Sequence, residues 1–71
     1  MPGNVQQLLV RFPRPEDRDA FLRQVRSLSA AEVGVLMLKP GLLVEVWTGT
    51  SVLEAVRRLV ARDHGMVVSQ N

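Results

Sequence analysis

The chain has 71 residues, no cysteine, and nine Lys and Arg residues against seven Asp and Glu residues, which gives a net charge of +2. This length predicts a single small domain, with about residues 5–69 ordered, and the lack of cysteine excludes disulfides and thiolate metal sites. The charge is too small to require a polyanionic partner, and no apolar run reaches the roughly 18 residues of a membrane span, so we expect a cytoplasmic protein without a membrane partner.

An alternation of apolar and polar residues, followed by two prolines, predicts the first strand and the first helix. Apolar and polar residues alternate over residues 5–12, as in a strand with one buried face. Pro13 cannot donate to a strand ladder, and Pro15 suits the first position of a helix. Acidic residues follow in the first turn, where the helix dipole favours them, and apolar residues then recur at helical spacing. We expect a helix from Pro15 to about Leu28.

The middle of the chain has the pattern of a β-hairpin, with strands over 33–39 and 42–48. Pro40-Gly41 is typical of a type II turn with glycine at positive φ. Two-residue hairpins prefer the mirror-image turns, so the loop is expected to be one or two residues longer. Alternation along the third strand separates two faces, one with Leu42, Val44 and Val46 and the other with Leu43, Glu45 and Trp47.

A second helix and a last strand complete the chain. Ser51 and Glu54 have the spacing of a capping box at the start of an apolar helical pattern. His64 is favourable at the negative end of that helix, and Gly65 is predicted to be its left-handed cap. Residues 66–69 are predicted to form a short strand.

The resulting order, β-α-β-β-α-β, predicts an α+β fold with both helices on one face of a four-stranded antiparallel sheet. This order resembles the ferredoxin-like fold over nearly the whole chain. The fold occurs in metal carriers, small phosphatases, RNA binders and amino-acid sensors, so it does not define a function.

The loop after the first strand, FPRPEDR, excludes one of these classes and is a poor fit to another. Metal carriers of the heavy-metal-associated type need two cysteines there, and acylphosphatase-like enzymes need a glycine-rich phosphate loop. RNA-recognition modules display several aromatic rings on the central strands, whereas this chain offers only Trp47, two residues from Glu45.

The ACT type of amino-acid-sensing domain is closest in length and element order. The stretch RPEDRDAFLRQV is similar to the loop and first helix of such domains. The glycine that lets a ligand approach the backbone in that family is missing, so the resemblance implies a pairing role rather than a ligand-binding role.

Candidate catalytic groups are few, and each has a structural explanation. His64 lies at a predicted helix end, and Glu16, Asp17 and Asp19 lie in a first helical turn, where acids are favoured without any metal. The segment TGTS at 48–51 could expose N–H groups to an anion, but a helix cap is the simpler interpretation. We therefore expect no catalytic residues, no metal and no cofactor.

Arginines on the two helices form a possible surface for an anionic partner. The set is Arg23, Arg26, Arg58 and Arg62. The spacing also predicts the ion pairs Asp19–Arg23 and Glu54–Arg58. Weak nucleic-acid binding through these helices is the alternative function.

The main functional hypothesis concerns the sheet face away from the helices. If Leu36 and Leu38 face the helices together with the apolar residues of the neighbouring strands, the other face remains apolar. The predicted interface is Leu9, Val35, Met37, Leu43, Glu45 and Trp47. Because VGVLML is apolar on both sides, we expect both faces of this strand to be covered.

This hypothesis makes the protein a non-enzymatic association module that forms a homodimer, or binds a protein partner, through its sheet. Glu45 then needs a partner, and Arg11 or Lys39 could supply one. No small-molecule ligand is identified from the sequence.

Overall fold

The computed structural model describes the backbone of residues 5–28 and 33–70, and the side chains of these residues except at 34–36. The elements are β1 (Val5–Arg11), α1 (Pro15–Val25), β2 (Val33–Lys39), β3 (Leu43–Gly49), a 3₁₀ turn (Thr50–Val52), α2 (Leu53–Arg62) and β4 (Met66–Gln70). The strands form one antiparallel sheet in the order β2-β3-β1-β4. The predicted α+β ferredoxin-like arrangement is confirmed.

The hydrophobic core lies between the sheet and the two helices, which contact each other. The central strands contribute side chains with no solvent exposure: Leu8, Val10, Val44 and Val46. The helices cover them with Phe21, Leu22, Val25, Val56 and Val60. Strand alternation therefore points one face of β1 and β3 at the helices and the other face away from them.

Helix α1 ends at Val25, three residues before the predicted end at Leu28. The N–H of Leu28 donates to the carbonyl of Val25 at 3.1 Å, an i→i−3 bond, and the Ser27 hydroxyl donates to the carbonyl of Gln24 at 2.6 Å. These short-range bonds replace α-helical ones, so the chain tightens into a turn after Val25.

The hairpin loop comprises residues 40–42, because Lys39 pairs with Leu43. Gly41 has φ +80°, as a type II turn requires, and Leu42 has φ +60°. The expectation of a longer loop is confirmed, and the third strand begins at Leu43 instead of Leu42. The Leu42 carbonyl accepts a hydrogen bond from the Phe12 N–H at 3.1 Å, which ties the loop to the end of β1.

The predicted capping box is wrong. The 3₁₀ turn Thr50–Val52 precedes α2, so the α-helix begins at Leu53 with Val52 at its N-cap, and no side chain caps it. Ser51 lies within the 3₁₀ turn. The S-x-x-E spacing is present, but the helix begins too late in the chain for Ser51 to be its N-cap residue.

The second helix ends in a Schellman motif in which His64, not Gly65, is left-handed. His64 has φ +62°, its N–H donates to the Ala61 carbonyl at 3.1 Å, and the Gly65 N–H donates to the Val60 carbonyl at 2.8 Å. The prediction of a left-handed Gly65 is therefore wrong by one residue. Glycine at 65 is explained by packing instead, because a Cβ there would lie 2.6 Å from Phe12 Cε1.

Replacing the left-handed His64 by glycine is expected to raise the free energy of unfolding by about 0.5–1 kcal/mol. Left-handed backbone costs an L-residue about 1–2 kcal/mol, and the greater freedom of glycine in the unfolded chain offsets part of the gain. Urea denaturation of His64→Gly, with His64→Ala as the control that keeps the strained backbone, measures the difference. A glycine variant less stable than the alanine variant would contradict this interpretation.

Candidate functional site

The register of the sheet brings together the residues of its helix-free face. Leu9 of β1 lies opposite Glu45 of β3, and Met37 of β2 lies opposite Glu45 on the other side. Leu43 and Trp47 are two residues before and after Glu45, so their side chains are on the same face. We call this surface the open face, and it consists of Leu9, Met37, Leu43, Glu45 and Trp47. The predicted Val35 side chain lies outside the described residues.

Two large apolar side chains on the open face are exposed. Met37 is 49% exposed and Trp47 is 38% exposed, while Leu43, on the same strand as Trp47, and Leu9, on the neighbouring β1, are half-buried. Isolated exposed apolar residues are common, but here they are contiguous across three strands. The open face is an apolar patch around one acidic residue, and Gln7, Arg11 and Lys39 lie beside it on the same side of the sheet, opposite Trp47 or Leu43.

The charge of Glu45 is compensated within the chain. Its carboxylate accepts a hydrogen bond from the Gln7 amide and lies 4.0 Å from the Lys39 ammonium, and its side chain is 15% exposed. Lys39 was one of the two expected partners. Within the described residues the other, Arg11, forms no ion pair. Gln7 was not expected, and it reaches Glu45 as a diagonal neighbour in the observed register.

The expectation that the helices cover β2 is wrong at Leu38. Leu38 was predicted to face the helices, and it lies opposite the buried Val44, yet it is 58% exposed. Its neighbour Met37 is exposed on the opposite face. Because β2 is an edge strand, the helices do not extend over this end of it. Leu38 is thus an exposed apolar residue outside the open face.

Both edges of the sheet are irregular. The pairing of β2 with β3 shifts register between Val33 and Leu36, and the pairing of β1 with β4 shifts between Leu9 and Val10. Such bulges twist an edge strand and hinder its pairing with another chain. The open face is therefore the stronger candidate for a contact.

The arginine side chains proposed for an anionic partner, Arg23, Arg26, Arg58 and Arg62, are all exposed. Both predicted ion pairs are replaced by others. Asp19 lies 3.3 Å from Arg18, and Glu54 lies 3.9 Å from Arg57, which also donates to Gln70. In each case a cation other than the predicted one lies beside the acid.

The first-turn acids have structural contacts. Asp17 is buried and pairs with Arg14 at 3.1 Å. The hydrogen bond and charge of Asp17, with a smaller contribution from Glu16, raise the pKa of Arg14.

Across residues 5–28 and 33–70, no three His, Asp or Glu side chains come together as a metal site would need. Thr48, in the segment considered for an anion, is buried and its hydroxyl donates to the Gly49 carbonyl.

Comparison of the chain with protein-family models, with curated proteins and with solved structures gives no match. In the described part of the chain, neither helix has the length and apolar character needed to cross a membrane.

Proposed function

We propose that the protein is a non-enzymatic association module that forms a homodimer by stacking the open faces of two copies. The observation that carries the proposal is the exposure of Trp47 and Met37, which are diagonal neighbours on adjacent strands of the open face. Trp is a favoured anchor of protein interfaces, and a two-fold contact places the same patch on both partners.

The size of the sheet determines how strong such a dimer is. Three strands of seven residues and one of five, side by side, give a face of roughly 23 by 19 Å. This is smaller than the roughly 800 Å² that each partner contributes to a standard interface. We therefore expect a weak dimer, with a dissociation constant in the micromolar range.

The central acid does not oppose this contact. An unpaired carboxylate buried between two sheets would be strongly destabilising, but Glu45 already has Gln7 and Lys39 as partners within its own chain. Each copy therefore presents Glu45 with its own two polar partners beside the apolar side chains of the open face.

Truncation of Trp47 is the prediction that tests the dimer. Trp47→Ala is expected to weaken association by about 2 kcal/mol, roughly thirtyfold in the dissociation constant. Light scattering across a dilution series measures the average mass of the wild type and the variant. The matched control is Leu38→Gln, which removes an exposed apolar side chain from the same sheet but not from the open face.

Three outcomes would contradict the proposal. The first is a wild type that is monomeric at high micromolar concentration. The second is a Trp47→Ala variant that associates as the wild type does. The third is a larger loss of association in Leu38→Gln than in Trp47→Ala, as expected for pairing through the β2 edge. The salt dependence of binding distinguishes the dimer from the alternative function. Association by apolar burial is nearly insensitive to salt, whereas the affinity of the four arginines for nucleic acid falls steeply as salt is added.

A further inference from the structure

A small pocket lies where the end of β1 meets the corner between α2 and β4. Its volume is about 160 Å³, and it is lined by Arg11, Phe12, Pro13, His64 and Met66. Arg11 and Met66 lie opposite each other in the pairing of β1 with β4, so the sheet fixes two of the walls. Arg11 also lies opposite Leu43 in the pairing of β1 with β3, so the pocket borders the open face.

We propose that this pocket binds a small organic carboxylate with an apolar body. The Arg11 guanidinium has the planar geometry that binds a carboxylate through two parallel hydrogen bonds. The His64 imidazole supplies a second N–H donor. Pro13 and Met66, which are exposed, form an apolar wall against which a ring or a branched chain packs.

Arg11 supplies an available charge. It is exposed, and among the described residues it has no acidic partner, while Arg14, Arg18 and Arg57 each lie beside an acid. A carboxylate in the pocket would be the counter-ion of Arg11.

His64 is held beside the pocket by a strained backbone. Its φ of +62° is fixed by the two Schellman hydrogen bonds of the helix end, at a position where glycine is the common residue. Strained non-glycine residues cluster at binding sites, because the strain holds a side chain where the fold would not otherwise place it. Here the strained residue brings an imidazole to the same pocket as Arg11.

The volume restricts the ligand. Sites for drug-sized molecules or nucleotides measure about 300–1,000 Å³. A pocket of about 160 Å³ accommodates a molecule such as phenylacetate but not a nucleotide. The side chains of Arg11 and His64 recognise the carboxylate, so the ligand does not need to approach the backbone of a glycine.

Titration with phenylacetate, followed by NMR of the methionine methyl groups, tests the proposal. The Met66 methyl signal is expected to shift and saturate, while Met37, on the remote edge strand, provides an internal control in the same spectrum. Phenylacetamide has nearly the same shape without the charge, and we expect it to bind at least tenfold more weakly.

Two variants locate the binding groups. Arg11→Gln is expected to weaken binding at least tenfold, and His64→Gly, which retains the helix cap, is expected to weaken it severalfold. Arg26→Gln removes an exposed arginine from another part of the surface and should bind as the wild type does. The proposal is overturned if Met66 does not shift up to about 10 mM ligand, a limit suited to so small a molecule. It is also overturned if the amide binds equally well or if Arg11→Gln retains wild-type affinity.

Discussion

Replacing Phe21 by alanine is expected to lower the free energy of unfolding by about 3–5 kcal/mol. Phe21 is fully buried in the core, and its ring centroid lies 5.1 Å from that of Phe12 at an interplanar angle of 38°. Such aromatic pairs contribute about 0.5–1.5 kcal/mol beyond the area that they bury. A domain of 71 residues has a total stability of roughly 4–10 kcal/mol, so this one change removes much of it.

Urea denaturation followed by circular dichroism measures the loss. Phe21→Leu keeps most of the buried volume and is expected to cost less than about 1.5 kcal/mol. Val5→Ala truncates a half-exposed side chain on β1 and should change the stability by less than about 0.5 kcal/mol. A loss below about 1 kcal/mol for Phe21→Ala would show that the core does not depend on this ring.

The order of the elements was predictable because it depends on local periodicity. The second strand was placed at residues 33–39, as the structure has it, from a run of apolar β-formers bounded by turn residues. The proline pair after β1 and the Pro-Gly pair after β2 similarly fix where the chain must turn. These signals lie within a few residues of the structure that they determine.

The helix ends were not predictable in the same way. Ser51 and Glu54 have the spacing of a capping box, but the 3₁₀ turn that leads out of β3 moves the helix start past Ser51. At the other end, His64 and Gly65 are adjacent, and sequence preference favours glycine as the left-handed residue. Tertiary packing determines which of the two residues is left-handed. Position 65 lies against Phe12 and has no room for a Cβ, so glycine is needed there, and His64 adopts the left-handed conformation.

The candidate site was predictable as a face but not as a set of contacts. Alternation separates Leu9 and Trp47 from the core residues without any knowledge of register. The bond between Gln7 and Glu45 requires the register of β1 against β3, two strands that are far apart in the sequence and are not joined by a hairpin. The exposure of Leu38 depends on how far the helices extend over an edge strand, and no local pattern encodes that.

Replacing Gly65 by alanine is expected to lower the free energy of unfolding by about 1–3 kcal/mol, the usual cost of overpacking a core. The added Cβ would lie 2.6 Å from Phe12 Cε1 and 2.9 Å from Val60 Cγ1. Both side chains are buried and cannot move into solvent, so the backbone of the α2–β4 corner must shift. The φ of Gly65 is not positive, so the cost is steric rather than conformational.

Gly41→Ala is the matched control for Gly65→Ala. Gly41 has φ +80°, and an added Cβ there meets nothing within 4 Å, so its cost is conformational, about 1 kcal/mol. Phe12→Leu removes the ring atom nearest the new methyl group, and urea denaturation of the single and double variants forms a thermodynamic cycle. We expect Gly65→Ala to cost less by about 0.5 kcal/mol or more in the Phe12→Leu background, with no such coupling for Gly41→Ala. Additive costs for Gly65→Ala and Phe12→Leu would show that contact with the ring does not require glycine at this position.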